Sequence, residues 1–413
     1  LERIYKENPN NKELARIIAY RLVARYTVNG EEINLSFKQD RFILTNLKKI
    51  MEDFPDDKEI VTLFALELIR FSAKINSAAE AVDIVDDLKM LYERYNGNAE
   101  TALYLAMGLH NLVAVYADNT YIAYCITYQQ LFYQKYGSYE NFAVELSRGI
   151  VNLCARQDAV QALESATFLK EICEQFDNNL KLEENLARSL VNLSAKQDDL
   201  QNEENIEHLF RLYRKYTDKK VFLEELTFGL VNTAASKKLS LAEKAIKNLM
   251  DLYVQYKDHR DDAYIVTSLA DGLVNLSGRH NVSEAAKSLE IMQDIVKESA
   301  DSVDLTEEFA CVLVNLSAKQ DALEAKECIQ RLKEFCKDTE NKTLNALLEK
   351  AKMNLKLKQT VPCSEMQTLQ VIEKRYCTLM TGYVMHAPNY YNSNKGMTIV
   401  TVSKIEHVKK EEM

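Results

Sequence analysis

The stretch "ARSLVNLSAKQD" occupies residues 187–198, and it has close copies at 147–158 ("SRGIVNLCARQD"), 270–281 ("ADGLVNLSGRHN") and 310–321 ("ACVLVNLSAKQD"). Each copy places one Asn inside a Leu-rich stretch. With this Asn as a marker, successive copies lie 40 to 43 residues apart. The marker residues are Asn111, Asn152, Asn192, Asn232, Asn275 and Asn315. A fixed period near 40 residues is typical of a solenoid of helical repeats.

Weaker copies extend the repeat in both directions. Arg70 stands at the marker position of "FALELIRFSAKIN", 41 residues before Asn111, and Asn354 stands 39 residues after Asn315. A still weaker copy, "LARIIAYRL", places Tyr20 at the marker. The repeat therefore covers most of the chain.

The residues around the marker predict the first helix of each unit, helix A. Leu186, Leu190 and Leu193 are spaced i, i+4, i+7, which forms one apolar face of a helix. Three residues before the marker, the side chain is small in five units. A Gly inside a helix costs about 1 kcal/mol relative to Ala, so its recurrence predicts a close helix–helix approach. These small residues are Gly108, Gly149, Ser189, Gly229 and Gly272.

A second helix in each unit, helix B, ends in an aromatic residue. The next marker follows 16 residues after each of the first five aromatics, which predicts a constant connection between helix B and the next helix A. The regular spacing also predicts that these rings pack between units. They are Phe54, Tyr95, Tyr136, Phe176, Tyr216 and Tyr256. The fold class predicted is all-α, a superhelix of about nine antiparallel helix pairs with no strand between residues 10 and 357.

These features resemble the tetratricopeptide-like repeat superfamily. The resemblance rests on the helix pairs, the small residues of helix A and the aromatic-then-turn endings such as "ENPNN" (7–11) and "DFPDD" (53–57). The units are longer than usual tetratricopeptides and mostly lack the Pro after helix B, so grouping with Sel1-like, HEAT or armadillo-like repeats stays open. The resemblance implies a superhelix whose A helices line the concave side.

The repeat pattern divides the chain into two regions. Residues 1–357 are predicted to be the solenoid, and they start in the middle of a repeat. Residues 358–413 are a non-repeat extension with a short β-like run at 397–402. The extension is expected to be a cap, a loosely held tail or a partly disordered segment.

Composition narrows the function classes. The 413 residues contain only 10 Gly and 4 Pro and carry a formal net charge of −10, which disfavours a nucleic-acid partner. No apolar run reaches about 18 residues, so no membrane partner is expected. Eight scattered Cys and six His show no metal spacing, and no catalytic motif is present. We therefore expect no cofactor, no metal, no enzymatic activity, and a reducing cytoplasmic location.

A polar stripe accompanies the marker Asn. Residues four before and four after the marker share its helix face, so Arg188, Asn192 and Lys196 form one set. The candidate peptide-binding residues are Asn111, Arg148, Asn152, Arg156, Arg188, Asn192, Lys196, Asn232, Asn275, Arg279, Asn315 and Lys319.

The marker Asn has two explanations. An Asn that faces a groove can hold a peptide backbone, because its amide both donates and accepts. A buried Asn can instead bond a neighbouring helix and fix the register. If the first explanation holds, Asn152, Asn192, Asn232 and Asn275 should be partly exposed, with at least one amide atom free of an intramolecular partner.

The functional hypothesis is a protein-interaction scaffold that binds a peptide or protein segment in the concave groove. The flanking cations favour an acidic segment. The alternative is the ligand-sensing half of a regulatory protein whose effector domain precedes Leu1. A third hypothesis, nucleic-acid binding by helical repeats, needs a basic groove, and the net charge opposes it.

Overall fold

The computed structural model describes most of the chain. It describes residues 5, 8, 10–23, 27–28, 31–32, 37–75, 77–116, 119–197, 200–256, 263–299, 305–337, 341–360, 367–386 and 390–408. Within the two long C-terminal ranges, side chains are described for residues 369 and 371–377.

In the described part of the chain, nine A helices alternate with eight B helices and form an all-α repeat solenoid. The A helices are α1 (Lys12–Val23), α3 (Lys58–Ser72), α5 (Ala99–Tyr116), α7 (Glu140–Arg156), α9 (Leu180–Ser194), α11 (Lys220–Ala234), α13 (Ala263–Arg279), α15 (Thr306–Lys319) and α17 (Lys342–Thr360). The B helices are α2 (Phe37–Asp53), α4 (Ala78–Arg94), α6 (Asn119–Tyr136), α8 (Ala159–Gln175), α10 (Leu200–Lys215), α12 (Leu239–Tyr256), α14 (Val282–Ser299) and α16 (Glu324–Cys336). The predicted all-α repeat fold is confirmed.

Among the described residues, two pairs of strands accompany the helices. A short hairpin, β1 (Thr27–Val28) and β2 (Glu31–Glu32), pairs antiparallel with Val28 opposite Glu31. The prediction that residues 10–357 contain no strand is therefore wrong here. The hairpin lies where the spacing between repeats is irregular, and the sequence between the paired residues is Asn-Gly, which favours two-residue hairpin loops.

The C-terminal extension contains two long strands, β3 (Gln367–His386) and β4 (Tyr390–Val408), which pair with each other. The sequence indicated only a short β-like run within β4. The predicted boundary at residue 357 lies inside α17, which ends at Thr360.

The chain divides into two compact units. The first comprises Leu1–Leu182 and Leu379–Gly396, and the second comprises Glu183–Thr378 and Met397–Met413. In the first unit, α1 packs against α3, α3 against α5 and α5 against α7; in the second unit, α11 packs against α13, α13 against α15 and α15 against α17. Each unit therefore presents a row of A helices, with B helices packed alongside.

The repeated sequence explains where each helix A stops and helix B starts. Gln157 and Gln320, five residues after their markers, have extended ψ values of 164° and 166° and end α7 and α15. The next residue, an Asp in both copies, accepts hydrogen bonds from backbone N–H groups at the start of helix B. Asp158 accepts from the N–H groups of Val160 and Gln161, both at 2.9 Å. A side-chain acceptor at this position satisfies N–H groups that the first helical turn leaves unpaired.

The small residue three before the marker faces the preceding helix B. A Cβ atom on Gly229 of α11 would stand 2.6 Å from Leu209 Cδ1 and 3.0 Å from Ile206 Cδ1, both on α10. In the first unit, a Cβ on Gly149 would meet His110 of the preceding helix A, α5, as well as Gln129 of α6. The close helix–helix approach that the sequence predicted at these positions is confirmed.

We expect Gly229→Leu to lower the free energy of unfolding by roughly 1–3 kcal/mol, because the added side chain overpacks the contact with α10. Thermal or urea unfolding measures the change. Val160→Leu is the control, since Val160 is 69 % exposed and its extra methylene meets solvent. Equal stability of the two variants would show that the Gly229 contact can open without cost.

Candidate peptide groove

An extended segment of β3, residues 371–377, lies against the A helices of the second unit. We call it the docked segment. Its residues Val371, Ile372, Glu373 and Tyr376 are all at most 4 % exposed. Because these residues follow the last repeat helix, the solenoid here buries a part of the chain outside its own repeats.

Three marker Asn side chains hold the backbone of the docked segment. Each amide nitrogen donates to a backbone carbonyl, and each Oδ1 accepts from the N–H of that same residue. Asn315 bonds Ile372 in this way at 3.0 and 2.7 Å. Asn275 bonds Lys374 at 2.7 and 2.6 Å, and Asn232 bonds Tyr376 at 3.0 and 2.8 Å. We call each of these two-bond contacts a rung.

The rungs follow from the geometry of an extended chain. In a strand, the N–H and C=O of one residue point to the same edge, and alternate residues share that edge. Residues 372, 374 and 376 therefore meet successive helices, in an order opposite to that of the repeats.

Each rung Asn also joins two A helices. The amide nitrogen of Asn275 donates to the carbonyl of Val231 on α11 at 2.8 Å, in addition to its bond to Lys374. Asn232 and Asn315 likewise donate to the carbonyls of Val191 and Val274. The two explanations of the marker, structural bond and backbone clamp, therefore hold together at these positions.

The expectation of partly exposed marker side chains is wrong. Asn152, Asn192, Asn232 and Asn275 are each at most 1 % exposed. At Asn232 and Asn275 the physical reason is visible, because the docked segment and the neighbouring A helix together bond both atoms of the amide. Burial at these positions thus reflects an occupied groove.

The markers of the first unit make the helix–helix bond. Asn111 donates to the Ile69 carbonyl at 2.9 Å and to Ser72 Oγ at 3.1 Å, and Asn152 donates to the His110 carbonyl at 3.0 Å. Among the described residues, all partners of Asn111 are on α3. Asn111 is therefore a natural comparison for the rung positions, because it has the structural bond without a rung.

The flanking cations bond mainly to the solenoid itself. Arg156 donates to the Ala114 carbonyl near the end of α5, and Arg279 donates to the Ala235 carbonyl at 3.2 Å after the end of α11. Cations suit these positions because the last carbonyls of a helix lack intrahelical partners. Arg148 pairs with Glu145 at 3.2 Å, and Arg188 with Glu225 at 3.4 Å. Lys196 and Lys319 are half-buried.

Arg279 also contacts the docked segment. Its Nη1 stands 3.1 Å from Glu373 Oε1, and both side chains are nearly buried. Arg375 of the segment donates to the carbonyls of Ala195 at 2.9 Å and Ala235 at 3.4 Å. These carbonyls follow the ends of α9 and α11, where the helix dipole is negative. The side chains of Glu373 and Arg375 thus bond to the solenoid as well.

Lys374 enters an acidic pocket. Its ammonium lies 2.5 Å from Asp271 Oδ1 and 2.6 Å from Glu308 Oε1. The two carboxylates raise the pKa of Lys374 above its ordinary value, although burial acts in the opposite direction. The ammonium is therefore held in its charged form, and the sign of this pocket is opposite to that of the predicted basic stripe.

Tyr376 occupies the next position. Its ring stacks on Phe228 with centroids 4.5 Å apart and planes at 16°. Its hydroxyl donates to Asp271 Oδ2, and burial raises the pKa of the phenol well above its ordinary value. An aromatic ring with a bonded hydroxyl combines apolar burial with a polar anchor.

Gly278 lets the segment approach α13. A Cβ atom there would stand 2.6 Å from the Ile372 carbonyl oxygen and 3.1 Å from Asn315 Nδ2. The position lies three residues after the marker, and the other five Asn-marked copies from Asn111 to Asn315 have Ala there. Gly278 thus occurs where the backbone of the segment comes closest.

Comparison with known proteins gives no identification. No protein-family model matches the chain, and no curated protein matches it significantly. The tetratricopeptide-like resemblance therefore stays a prediction. No helix in the described ranges is long and apolar enough to cross a membrane. Among the residues with described side chains, no cluster of His, Cys, Asp and Glu could hold a metal ion.

Sequence reasoning missed several residues of the groove. Asp271, Glu308, Phe228 and Gly278 are not among the candidate peptide-binding residues that the sequence indicated. Phe228 and Asp271 both stand four residues before a marker, so the periodicity could have indicated their shared face. The docked segment gave no signal, because its sequence lies outside the repeat.

We expect Gly278→Ala to release the docked segment while leaving the helices folded. The new Cβ meets the segment and the Asn315 amide, whereas Ala favours a helix over Gly. Loss of one rung should raise the amide hydrogen exchange of Ile372, Lys374 and Tyr376 about tenfold.

Gly272→Ala in the same helix is the control for this experiment. Its Cβ would face Leu249 and Ile246 of α12. Unchanged exchange in Gly278→Ala, or an equal rise in both variants, would contradict the assigned role of Gly278.

Proposed function

We propose that this chain is a non-enzymatic interaction scaffold whose second unit binds an extended protein segment along α11, α13 and α15. The observation that carries the proposal is the set of three rungs on Ile372, Lys374 and Tyr376. The rungs are hydrogen bonds to the backbone N–H and C=O of one residue, and every residue except Pro has both groups. A groove of this kind suits an extended segment of any origin.

The character of the rungs supports a binding role beyond simple packing. Each rung supplies one donor and one acceptor to a single residue, as a neighbouring strand would. The Asn amides thus act as a fixed edge to which a strand can add, although the edge is built from helices. Main-chain bonds then give affinity, and pockets for the side chains give specificity.

The expected partner is a protein or peptide, without nucleic acid, membrane or cofactor. The contacts of the second unit favour a segment with a basic residue, since Asp271 and Glu308 both face Lys374. This differs from the acidic segment that the flanking cations suggested, and Arg156 is already engaged by a helix carbonyl. A reducing, cytoplasmic setting fits the buried thiols of Cys311 and Cys328, whose pKa values burial raises to about 12 and about 11.

The full-length chain with Ile372→Pro provides the test. Pro removes the N–H that Asn315 accepts, so the chain's own segment is weakened and the groove opens. A synthetic peptide of residues 369–377, with Cys377→Ser, should then bind in trans, as measured by calorimetry. Adding Asn275→Ala should weaken this binding by about 5- to 100-fold, because two hydrogen bonds of the rung are lost.

Asn111→Ala is the matched control, since it removes a helix–helix bond without removing a rung. It should leave the affinity for the peptide unchanged. Equal effects of Asn275→Ala and Asn111→Ala would contradict the proposal. Ile372→Val, which keeps the N–H group, should bind the added peptide no better than the original chain.

A further inference from the structure

Asp271 is a buried carboxylate that the solenoid leaves for a ligand to satisfy. It is 1 % exposed, and among the described residues its partners are the Lys374 ammonium and the Tyr376 hydroxyl. Both belong to the docked segment. A buried charge without a partner is strongly unfavourable, so this position is built for a cation and a hydroxyl donor together.

Glu308 completes the pocket from the next A helix. It lies on α15, and its described ion partner is again Lys374, at 2.6 Å. Two carboxylates from different helices thus converge on one ammonium. An ammonium between two carboxylates is stabilised more strongly than one in an ordinary exposed ion pair. The pocket therefore favours a Lys at this position of a bound segment.

The side-chain pockets are in register with the rungs. Asp271 stands four residues before Asn275, the rung of Lys374, and Phe228 stands four residues before Asn232, the rung of Tyr376. Residues at this spacing share one helix face. The backbone rungs therefore fix which segment residue meets the two carboxylates and which one meets the Phe228 ring. These two segment residues are two positions apart.

We infer that this groove selects extended partner segments in which a Lys precedes a Tyr by two residues, and that residues 371–377 are the chain's own copy of such a ligand. The inference rests on the proposed function and names its substrate class. The bonds of the docked segment end on helix-surface side chains and on carbonyls near helix ends. Its removal therefore leaves the hydrogen bonds within the helices intact. A partner segment can then replace the docked segment without unfolding the solenoid.

The docked segment is covalently linked to the solenoid, and this link affects its competition with a partner segment. A segment linked to its own site has an effective concentration of about millimolar order for a short flexible linker. A partner segment must therefore bind more tightly than the chain's own copy, or meet a chain whose copy is weakened. In the original chain, added peptide should bind more weakly than in the Ile372→Pro chain.

The test uses the full-length Ile372→Pro chain and four synthetic peptides based on residues 369–377, all with Cys377→Ser. One keeps the remaining sequence, one carries Lys374→Met, and one carries Tyr376→Ala. The fourth carries Lys374→Tyr with Tyr376→Lys, which retains composition and charge but reverses the order. We expect each altered peptide to bind at least about tenfold more weakly than the first, since each removes or displaces at least one of the two partners of the buried Asp271 carboxylate.

Changes in the pocket identify the origin of the preference. Asp271→Asn keeps the size of the side chain and removes its charge, and Glu308→Gln does the same at a part-exposed position. In each of these two variants, the ratio between the affinities of the Lys and Met peptides should fall several-fold. Such a fall is the signature of two interacting residues in a double-mutant cycle. Asn275→Ala should weaken the original and altered peptides alike.

The outcomes separate this inference from the proposed function. If all four peptides bind equally and Asn275→Ala weakens each, the Lys-x-Tyr selectivity is overturned while the backbone clamp stands. If none binds to the opened chain, both proposals fail. Selective binding that is unchanged in Asp271→Asn and in Glu308→Gln also overturns the assignment of the pocket.

Discussion

The structure of the second unit depends on how the marker Asn divides its hydrogen bonds. At Asn275, one bond joins α13 to the Val231 carbonyl of α11, while the remaining donor and the acceptor hold Lys374. One small amide thus sets the register between adjacent A helices and clamps a strand against them. An apolar residue could pack here but could do neither, and a longer amide would not keep the same reach.

The second unit combines this backbone clamp with buried polar groups whose partners lie in the docked segment. Buried polar atoms in folded proteins are nearly always hydrogen-bonded, so a carboxylate such as Asp271 needs its partner. Here the partner comes from a different part of the chain. Complementarity of this kind explains why the segment is seated in one register, with Tyr376 on Phe228 and Lys374 between two carboxylates. It also defines the chemistry of the groove surface that the docked segment covers.

The distribution of charge shows why a surface stripe and a binding surface need not coincide. Arg156 and Arg279 lie on the predicted stripe, yet both donate to carbonyls near the ends of preceding A helices. Both stand four residues after a marker, and this position places each side chain beside the end of the preceding A helix. The groove acquires its acidic pocket from Glu308 and from Asp271, and no other marker Asn has an acidic residue at the position of Asp271, four residues before it.

The sequence by itself determined the period, the alternating helices and the marker positions, because these properties are encoded within a few turns of each helix. Gly229 illustrates this, since a missing side chain at a fixed helix position implies a close neighbour. Only the tertiary structure decided what the markers face. The contacts of Asn315 and Asn232 with the docked segment span 57 and 144 residues of sequence, and no local pattern encodes such a pairing. Exposure failed as a criterion for the same reason, because whether an Asn is buried depends on which distant part of the chain covers it.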